Sequence, residues 1–194
     1  MRQAASIVGL LWAAFVICWL VLAQFNKKAS RSWSRPTAWG LRLPVLAGVL
    51  VVILLRRHGV PGLFTSVART LPLRVGIAGH WLGVGLCLAG FGFAFWARVH
   101  IGRNWGMPMS LRQDHELVTS GPYAYVRHPI YTGIMLAMIG SALTLGVLWL
   151  LLFALYFAYF ILSARTEEKM MLAQFPDSYP AYRRRTKMLI PFVF

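Results

Sequence analysis

Four apolar runs, separated by polar segments rich in basic and turn-forming residues, organise this chain. They extend from Ala4 to Phe25, from Trp39 to Leu55, from Val75 to Ala97 and from Ile130 to Ala164. About 20 apolar residues suffice for a helix to cross a hydrocarbon core of about 30 Å. The first and third runs meet this length and the second is marginal, so each predicts one membrane helix. Gly79 in the third run, four residues before another glycine, predicts a close helix contact.

The fourth run holds 35 residues without a charge, which is too many for one crossing. A straight helix of that length would extend about 50 Å, well beyond the hydrocarbon core even when tilted. The run therefore predicts a hairpin of two antiparallel helices that turns near Thr144-Leu145-Gly146, with Pro129 in the first helical turn. A hairpin would bring His128 and the cluster Arg165-Thr166-Glu167-Glu168 to the same membrane face.

Composition agrees with a membrane protein. The 194 residues are 58% hydrophobic and 13% charged, with a mean hydropathy of +0.61, whereas soluble domains carry about 25% charged residues. The sequence predicts an all-α polytopic membrane protein with about five transmembrane helices and a C-terminal helical hairpin. Residues 1–97 would hold three N-terminal membrane helices, and residues 98–194 would form one compact unit of loop, helical hairpin and C-terminal tail.

The net charge of +15 is distributed in the segments between the apolar runs. With five spans, the positive-inside rule places the 1–2 loop, the 3–4 loop and the tail in the cytoplasm and the N-terminus outside. The expected location is a bacterial inner membrane or an equivalent one. Basic residues in this arrangement suit a lipid bilayer as partner, and nucleic acid is not expected.

Two neighbouring acids stand out in a chain this basic. Glu167 and Glu168 follow the fourth apolar run, so we expect them at a helix C-terminus, where each would oppose the macrodipole by about 0.3–1 kcal/mol. A cationic or polyhydroxyl ligand would account for them there. The alternative is a solvated helix end neutralised by Arg165 and Lys169.

Other cofactor signatures are missing from the sequence. The five histidines show no i, i+4 pairing and have no cysteine partner, so no metal site is predicted. The sequence also has no glycine-rich loop after a strand, which excludes a Rossmann-type cofactor fold.

Two motifs flank the fourth run. The first reads His115-x-Leu117-Val118-Thr119-x-Gly121-Pro122-Tyr123-x-x-x-Arg127-His128-Pro129-x-Tyr131-x-Gly133, and the second begins Arg165-Thr166-Glu167-Glu168 and continues through Tyr179, Tyr182, Arg183 and Ile190-Pro191. In order, spacing and membrane context they resemble the isoprenylcysteine carboxyl methyltransferase and phospholipid methyltransferase family, over about residues 98–194. Pro176-Asp177-Ser178 and Lys187 depart from the family pattern, on the substrate side.

The resemblance implies a membrane methyltransferase that binds S-adenosylmethionine at the cytoplasmic ends of its last helices, in a cytoplasmic cofactor-binding loop and tail. Residues 98–194 would then be its catalytic region. It implies an adenosine site at His115, Leu117 and Val118. It implies a site for the methionine part at Gly121, Tyr123, His128 and Tyr131, and carboxylates for ribose or amino groups at Glu167 and Glu168. The implied catalytic residues are Arg127, His128 and Glu168, and the implied acceptor-binding residues are Arg103, Asn104 and Arg127.

The identity of the methyl acceptor stays open at this point. The main hypothesis is a membrane lipid or lipidated small molecule that enters sideways from the bilayer, with Arg127 orienting it at the membrane–water boundary. A carboxylate acceptor needs no base, whereas an amine or thiol would need His128 or Glu168. The alternatives are a small thiol or amine acceptor, and a non-catalytic membrane module. The sequence assigns no oligomeric state.

Overall fold

The computed structural model describes residues 2–24, 29–32, 75–105, 110–112 and 116–193. Two short strands pair antiparallel, with Ser32 opposite Ser110. The run from Trp39 to Leu55 lies outside the described residues. The helices are α1 (Arg2–Ala23), α2 (Ile77–Ile101), α3 (Pro129–Leu145), α4 (Leu148–Gln174) and α5 (Tyr179–Arg185), and the strands are β1 (Ala29–Ser32) and β2 (Ser110–Arg112).

Three of these helices, α1, α2 and α4, are long and apolar enough to cross a membrane, and α3 is a shorter apolar helix. Their outward faces carry large exposed side chains such as Leu20, Leu82 and Leu151, which a surrounding lipid phase would cover. The predicted fold class, a helical polytopic integral membrane protein, is therefore confirmed.

The predicted hairpin is also confirmed. Helix α3 ends at Leu145 and α4 begins at Leu148. Between them Gly146 has φ +110°, a conformation that glycine adopts without a Cβ penalty. Pro129 occupies the first helical turn of α3, as expected.

Two helices run further than the apolar pattern predicted. Helix α4 continues ten residues past Ala164 to Gln174, because the polar stretch there consists mainly of strong helix formers. Glu167 and Glu168 therefore lie inside the helix, nearly two turns before its end, and our macrodipole argument for them was wrong. Helix α2 likewise extends to Ile101, so it includes Arg98, which we had placed in the following loop.

Helices α2 and α3 pack antiparallel through a seam of four glycines. A Cβ built on Gly90 would lie 2.5 Å from the carbonyl oxygen of Gly133, and one on Gly83 would lie 2.5 Å from that of Gly140. Each backbone therefore occupies the space where the other helix would carry a side chain. Of the predicted pair, only Gly83 lies in this seam, since a Cβ on Gly79 would meet the side chain of Val75 and not α3.

Helix α1 covers this pair with aromatic side chains. The Trp12 Nε1–H donates to the Ser141 hydroxyl on α3 at 2.9 Å, and the Phe15 ring stacks on Phe91 of α2 with centroids 4.7 Å apart. One turn further along α1, Trp19 meets Trp105 edge to face. This packing brings Phe15 and Trp19 to the end of the bundle where the polar motifs gather.

Candidate functional site

A cavity of about 240 Å³ lies at this end of the bundle, where α2 ends, α3 begins and α4 carries its glutamates. One part of its wall is apolar and comes from the membrane-spanning helices, and the other part carries tyrosines and charged groups. The lining residues are Phe15, Trp19, Ile101, Asn104, Trp105, Glu116, Leu117, Val118, Tyr123, Arg127, His128, Ile130, Tyr131, Ile134, Phe160, Glu167, Met171, Tyr179 and Tyr182.

The start of α3 is tied to the tail segment, which we define as residues 186–189. The amides of Arg127 and His128 donate to the carbonyls of Lys187 and Met188, at 2.8 and 3.1 Å. The Thr132 hydroxyl donates to the carbonyl of the fully buried Leu189 at 2.5 Å. These bonds fix the backbone of Arg127 and His128, so the two side chains meet the cavity at set positions.

Glu168 is the centre of a buried ion cluster. Its Oε1 lies 2.6 Å from Arg127 Nε and 3.6 Å from His128 Nε2, and its Oε2 lies 3.4 Å from Arg183 Nε. The guanidinium of Arg127 also donates to the backbone carbonyls of Arg183 and Thr186. Because the carboxylate is only 5% exposed and faces three cations, it neutralises buried charge.

Glu167, the neighbouring residue, has a different environment. Its Oε1 accepts the Tyr131 hydroxyl at 2.5 Å and its Oε2 lies 3.3 Å from His128 Nδ1. The side chain is 22% exposed and lines the cavity. The structure thus separates the glutamates that the motif presents as a pair, because consecutive helical residues point about 100° apart.

The surroundings of His128 favour its protonated form. Burial of the ring lowers the pKa of His128, but the contacts to Glu167 and Glu168 together raise it by a larger amount. The pKa of His128 therefore lies above its usual value. The ring stacks parallel to Tyr131, with centroids 5.5 Å apart, and Tyr131 stacks in turn on Phe160. A protonated imidazole has no lone pair to offer, so this state of His128 donates hydrogen bonds and does not accept a proton.

Tyr123 reaches the cavity on a 3₁₀ turn, Gly121–Ala124. Gly121 has φ +58°, and a Cβ there would lie 2.7 Å from the His100 ring, so only glycine fits. His100 Nε2 lies 2.8 Å from the Ser120 hydroxyl and supports the same turn. Burial raises the pKa of Tyr123, which therefore remains a neutral phenol, and its carbonyl accepts the Tyr182 hydroxyl at 2.7 Å.

A second buried arginine supports the part of the wall that Asn104 and Trp105 form. Arg98, 3% exposed, donates to the carbonyl of Leu22 in α1 at 2.6 Å and to that of Gly102 at 2.8 Å. Its guanidinium lies 4.7 Å from the centre of the Trp105 ring. It therefore fixes the turn that carries Asn104, a buried side chain whose Oδ1 has no hydrogen bond among the described residues.

Most of the predicted site residues gather around this cavity. Gly121 and Glu168 do not line the cavity. Gly121 contributes through its backbone conformation, and Glu168 contacts the lining residues Arg127 and His128. His115 lies outside the described residues, and of Arg103 only the backbone, in the turn Gly102–Asn104, is described. The lining residues that the sequence had indicated are Asn104, Leu117, Val118, Tyr123, Arg127, His128, Tyr131 and Glu167.

Sequence reasoning missed two supporting residues, Arg98 and His100. Arg98 follows an apolar run and has the sequence pattern of an interfacial anchor, and His100 belongs to neither motif. Neither residue carried a signal in the sequence, because the apolar run ends before Arg98, and an arginine requires polar partners only inside a membrane helix.

Residues 78–178 match the sequence family described as phospholipid methyltransferase. A protein-S-isoprenylcysteine O-methyltransferase of Schizosaccharomyces pombe is 40% identical over 83 residues, which cover 42% of this chain and 35% of that protein. A nickel-cobalt-cadmium resistance protein of Alcaligenes xylosoxydans is 31% identical over 149 residues, 71% of this chain and 66% of the relative. Methanethiol S-methyltransferase 2 of Bradyrhizobium diazoefficiens is 42% identical over 74 residues, 37% of this chain and 27% of the relative. The chain thus aligns with between about a quarter and two thirds of the length of these relatives.

Proposed function

Since the chain belongs to the phospholipid methyltransferase family, we propose that it is a membrane methyltransferase that uses S-adenosylmethionine and methylates a lipid-like acceptor. The observation that carries this proposal is the composition of the cavity wall. Glu167, Tyr131 and His128 form one part of the wall, and Phe15 and Trp19 of a membrane-spanning helix form another. Such a cavity suits a polar donor beside an acceptor with an apolar portion.

The residues present fit S-adenosylmethionine. A sulfonium and an ammonium group suit the Glu167 carboxylate and the faces of Tyr123 and Tyr131, at about 0.5–2 kcal/mol for each cation–π contact. Leu117 and Val118 offer backbone groups beside the same cavity for the adenosine. When bound, the donor supplies an electrophilic methyl group, and the protein's task is to align the acceptor in line with it. We propose Glu167, and not Glu168, as the carboxylate that contacts the donor.

The surrounding residues position this contact. Glu168 balances the charge of Arg127 and His128, and the tail segment fixes their backbone. Arg127 also lines the cavity, so we keep it as the acceptor-orienting residue, with Asn104 nearby on the wall. Residues 98–194 would form the catalytic region.

An acceptor that needs no deprotonation fits this arrangement best. The two side chains that we had considered as bases are His128 and Glu168. The contacts with Glu167 and Glu168 raise the pKa of His128 and so favour its protonated form, and the Glu168 carboxylate faces Arg127 and Arg183. A carboxylate acceptor is already ionised at neutral pH. This favours methylation of a carboxylate oxygen, and the name of the Schizosaccharomyces pombe relative describes an O-methyltransferase.

A small thiol is the second candidate acceptor, because relatives named methanethiol S-methyltransferase align with this chain. The two hypotheses differ in what must fill the apolar part of the wall. A prenylated acceptor would contact Phe15 and Trp19, whereas methanethiol would leave them uncovered. Phe15→Ala should therefore reduce turnover of a prenylated acceptor and leave that of methanethiol nearly unchanged.

The test has two stages on purified protein in detergent. Calorimetry with S-adenosylmethionine asks first whether the donor binds, and absence of binding would make the chain a non-catalytic membrane module. Radiolabelled methyl transfer then compares a farnesylated cysteine, phosphatidylethanolamine and methanethiol. Carboxyl labelling of the farnesylated cysteine is the expected result, and labelling of methanethiol alone would establish the second candidate.

We also propose that the cavity end of the bundle faces the cytoplasm and that the N-terminus lies outside. The three consecutive arginines of α5 are exposed at that end, as the positive-inside rule requires of a cytoplasmic segment. Topology reporters fused at residue 1 and after residue 194 test this. Reporters that place both ends on the same side would contradict five crossings.

A further inference from the structure

The tail carries an exposed surface that the proposed catalytic site does not use. We define this tail surface as Arg184, Arg185, Lys187, Ile190, Phe192 and Val193. The three basic side chains are exposed, and so are the apolar ones, with Phe192 at 87% and Val193 at 71%. We propose that the tail surface binds the anionic headgroups of the leaflet beside the cavity, and so secures the tail segment against the start of α3.

The backbone at Phe192 supports this inference. Phe192 has φ +65°, which costs a bulky residue free energy. The turn is closed by a hydrogen bond from the Val193 amide to the Ile190 carbonyl at 3.1 Å. This turn presents Phe192 and Val193 outward, where described residues bury neither side chain. Aromatic and aliphatic side chains beside basic ones are typical of segments that lie in a membrane interface.

The position of the tail surface favours lipid over a soluble acidic partner. Helix α5 begins five residues after the end of α4, which is apolar enough to cross a membrane. The surface also flanks residues 186–189, which are hydrogen-bonded to the start of the apolar helix α3, so we expect it within reach of the headgroups. Anionic headgroups complement the three cations, and the acyl-chain boundary can take up Phe192 and Val193.

The tail surface lies on both sides of the tail segment along the chain. Arg184 and Arg185 precede residues 186–189, and Ile190 and Phe192 follow them. The four carbonyls of that segment accept hydrogen bonds from the backbone or side chains of Arg127, His128 and Thr132. Lipid that binds only the docked tail must shift the equilibrium towards these hydrogen bonds.

The first experiment measures contact with lipid directly. The full chain with Cys18→Ser and Phe192→Cys, labelled at position 192, is placed in nanodiscs of phosphatidylcholine or of phosphatidylcholine with phosphatidylglycerol. Quenching of the label by brominated acyl chains should rise with the phosphatidylglycerol fraction and fall with added salt. Arg184→Gln with Arg185→Gln should reduce the lipid partition of the tail roughly fivefold for each charge removed.

A matched control removes two exposed charges elsewhere on the same side. Arg165→Gln with Lys169→Gln changes the net charge equally and should keep most of the phosphatidylglycerol dependence. Equal quenching in both lipids, or equal loss in both double variants, would make the tail surface an ordinary solvated face.

The second experiment measures the link to the site without substrate. Hydrogen exchange of the Arg127 and His128 amides should slow several-fold when phosphatidylglycerol is present, and this slowing should disappear in the Arg184→Gln/Arg185→Gln variant. The measurement needs neither donor nor acceptor, so its failure is distinguishable from failure of the proposed function. Exchange rates that do not depend on lipid charge would overturn the link.

Discussion

Two contacts made by α3 stabilise the molecule in different ways. Along its length it meets α2 through Gly133 and Gly140, with backbone against backbone. At its start it meets α4 and the tail through Arg127 and His128, by ion pairs and hydrogen bonds. The glycine seam depends on the shape of the two helices, so it requires small residues and not a particular chemical group. The ion cluster depends on charge and leaves little choice of residue.

The difference between these two contacts bears on the proposed function. Removing two charges from water costs several kcal/mol for each ion, so a buried ion cluster is a poor way to gain stability alone. The seam alone would hold α2 and α3 together. The cluster is therefore better explained as a device that fixes His128 and, through it, Glu167 at the cavity wall.

The largest expected effect is loss of the central carboxylate. Glu168→Gln leaves the guanidinium of Arg127 buried without its counter-charge, which typically costs about 3–5 kcal/mol. We expect the free energy of unfolding, measured by denaturant titration in detergent, to fall by this order. Glu167→Gln, the matched variant one residue away, should lose far less, because the Glu167 side chain is 22% exposed, against 5% for Glu168. Equal losses in the two variants would remove the distinction that we draw between them.

The seam gives the next largest effect. In Gly90→Ala the new methyl group would lie 2.5 Å from the Gly133 carbonyl oxygen, so the helices must move apart. Overpacking of this kind costs about 1–3 kcal/mol. Gly92→Ala is the control on the same helix, since nothing lies within 4 Å of its Cβ position. Its midpoint of thermal unfolding should stay the same or rise slightly, because alanine favours a helix more than glycine does. A parallel fall in Gly92→Ala would show that contact with α3 is not the cause of the loss in Gly90→Ala.

Binding of the donor should respond to Glu167 with little change in stability. Glu167→Gln removes a charge-assisted hydrogen bond worth about 1.5–3 kcal/mol, roughly tenfold or more in S-adenosylmethionine affinity. Asp177→Asn removes the same charge at an exposed position outside the cavity lining and should leave affinity within about twofold. Calorimetry on both variants checks this, and unchanged affinity in Glu167→Gln would exclude a donor contact.

The seam and the hairpin show how far the sequence could lead. The 35 uncharged residues after Pro129 and the glycine before Leu148 were enough to predict the antiparallel pair. Hydrophobicity could not place the end of α4, since the helix continues through residues of high helix propensity and low hydropathy. Because of that error we placed Glu167 at a helix terminus. Our electrostatic argument for its importance was therefore wrong, although Glu167 does line the cavity.

The site divides along a similar line. The motif spacing was enough to predict that Tyr131, His128 and Glu167 lie close together, because the hairpin sets their positions along the helix axes. It could not tell Glu167 from Glu168, since the choice of which side chain faces the cavity depends on the rotation of α4 about its own axis. The contribution of Arg98 was hidden for a related reason: its partners are the backbone carbonyls of Leu22 and Gly102, and a sequence gives no sign of them.

The smallest expected effect is a pH dependence that belongs to the cluster and not to the seam. The pKa of His128 is raised in the folded protein, so the native state binds that proton more tightly than the unfolded chain does. The resulting stabilisation is fully present below the unfolded pKa of about 6.5 and is lost as pH rises through the folded value, with a slope of at most about 1.4 kcal/mol per pH unit. Denaturant titrations of the wild type and of His128→Gln between pH 5 and 9 should therefore converge as pH rises. Gly90→Ala, which alters only the seam, should keep the wild-type slope at lower absolute stability. A constant difference between wild type and His128→Gln would mean that the imidazole is neutral, and His128 would then return as a candidate base.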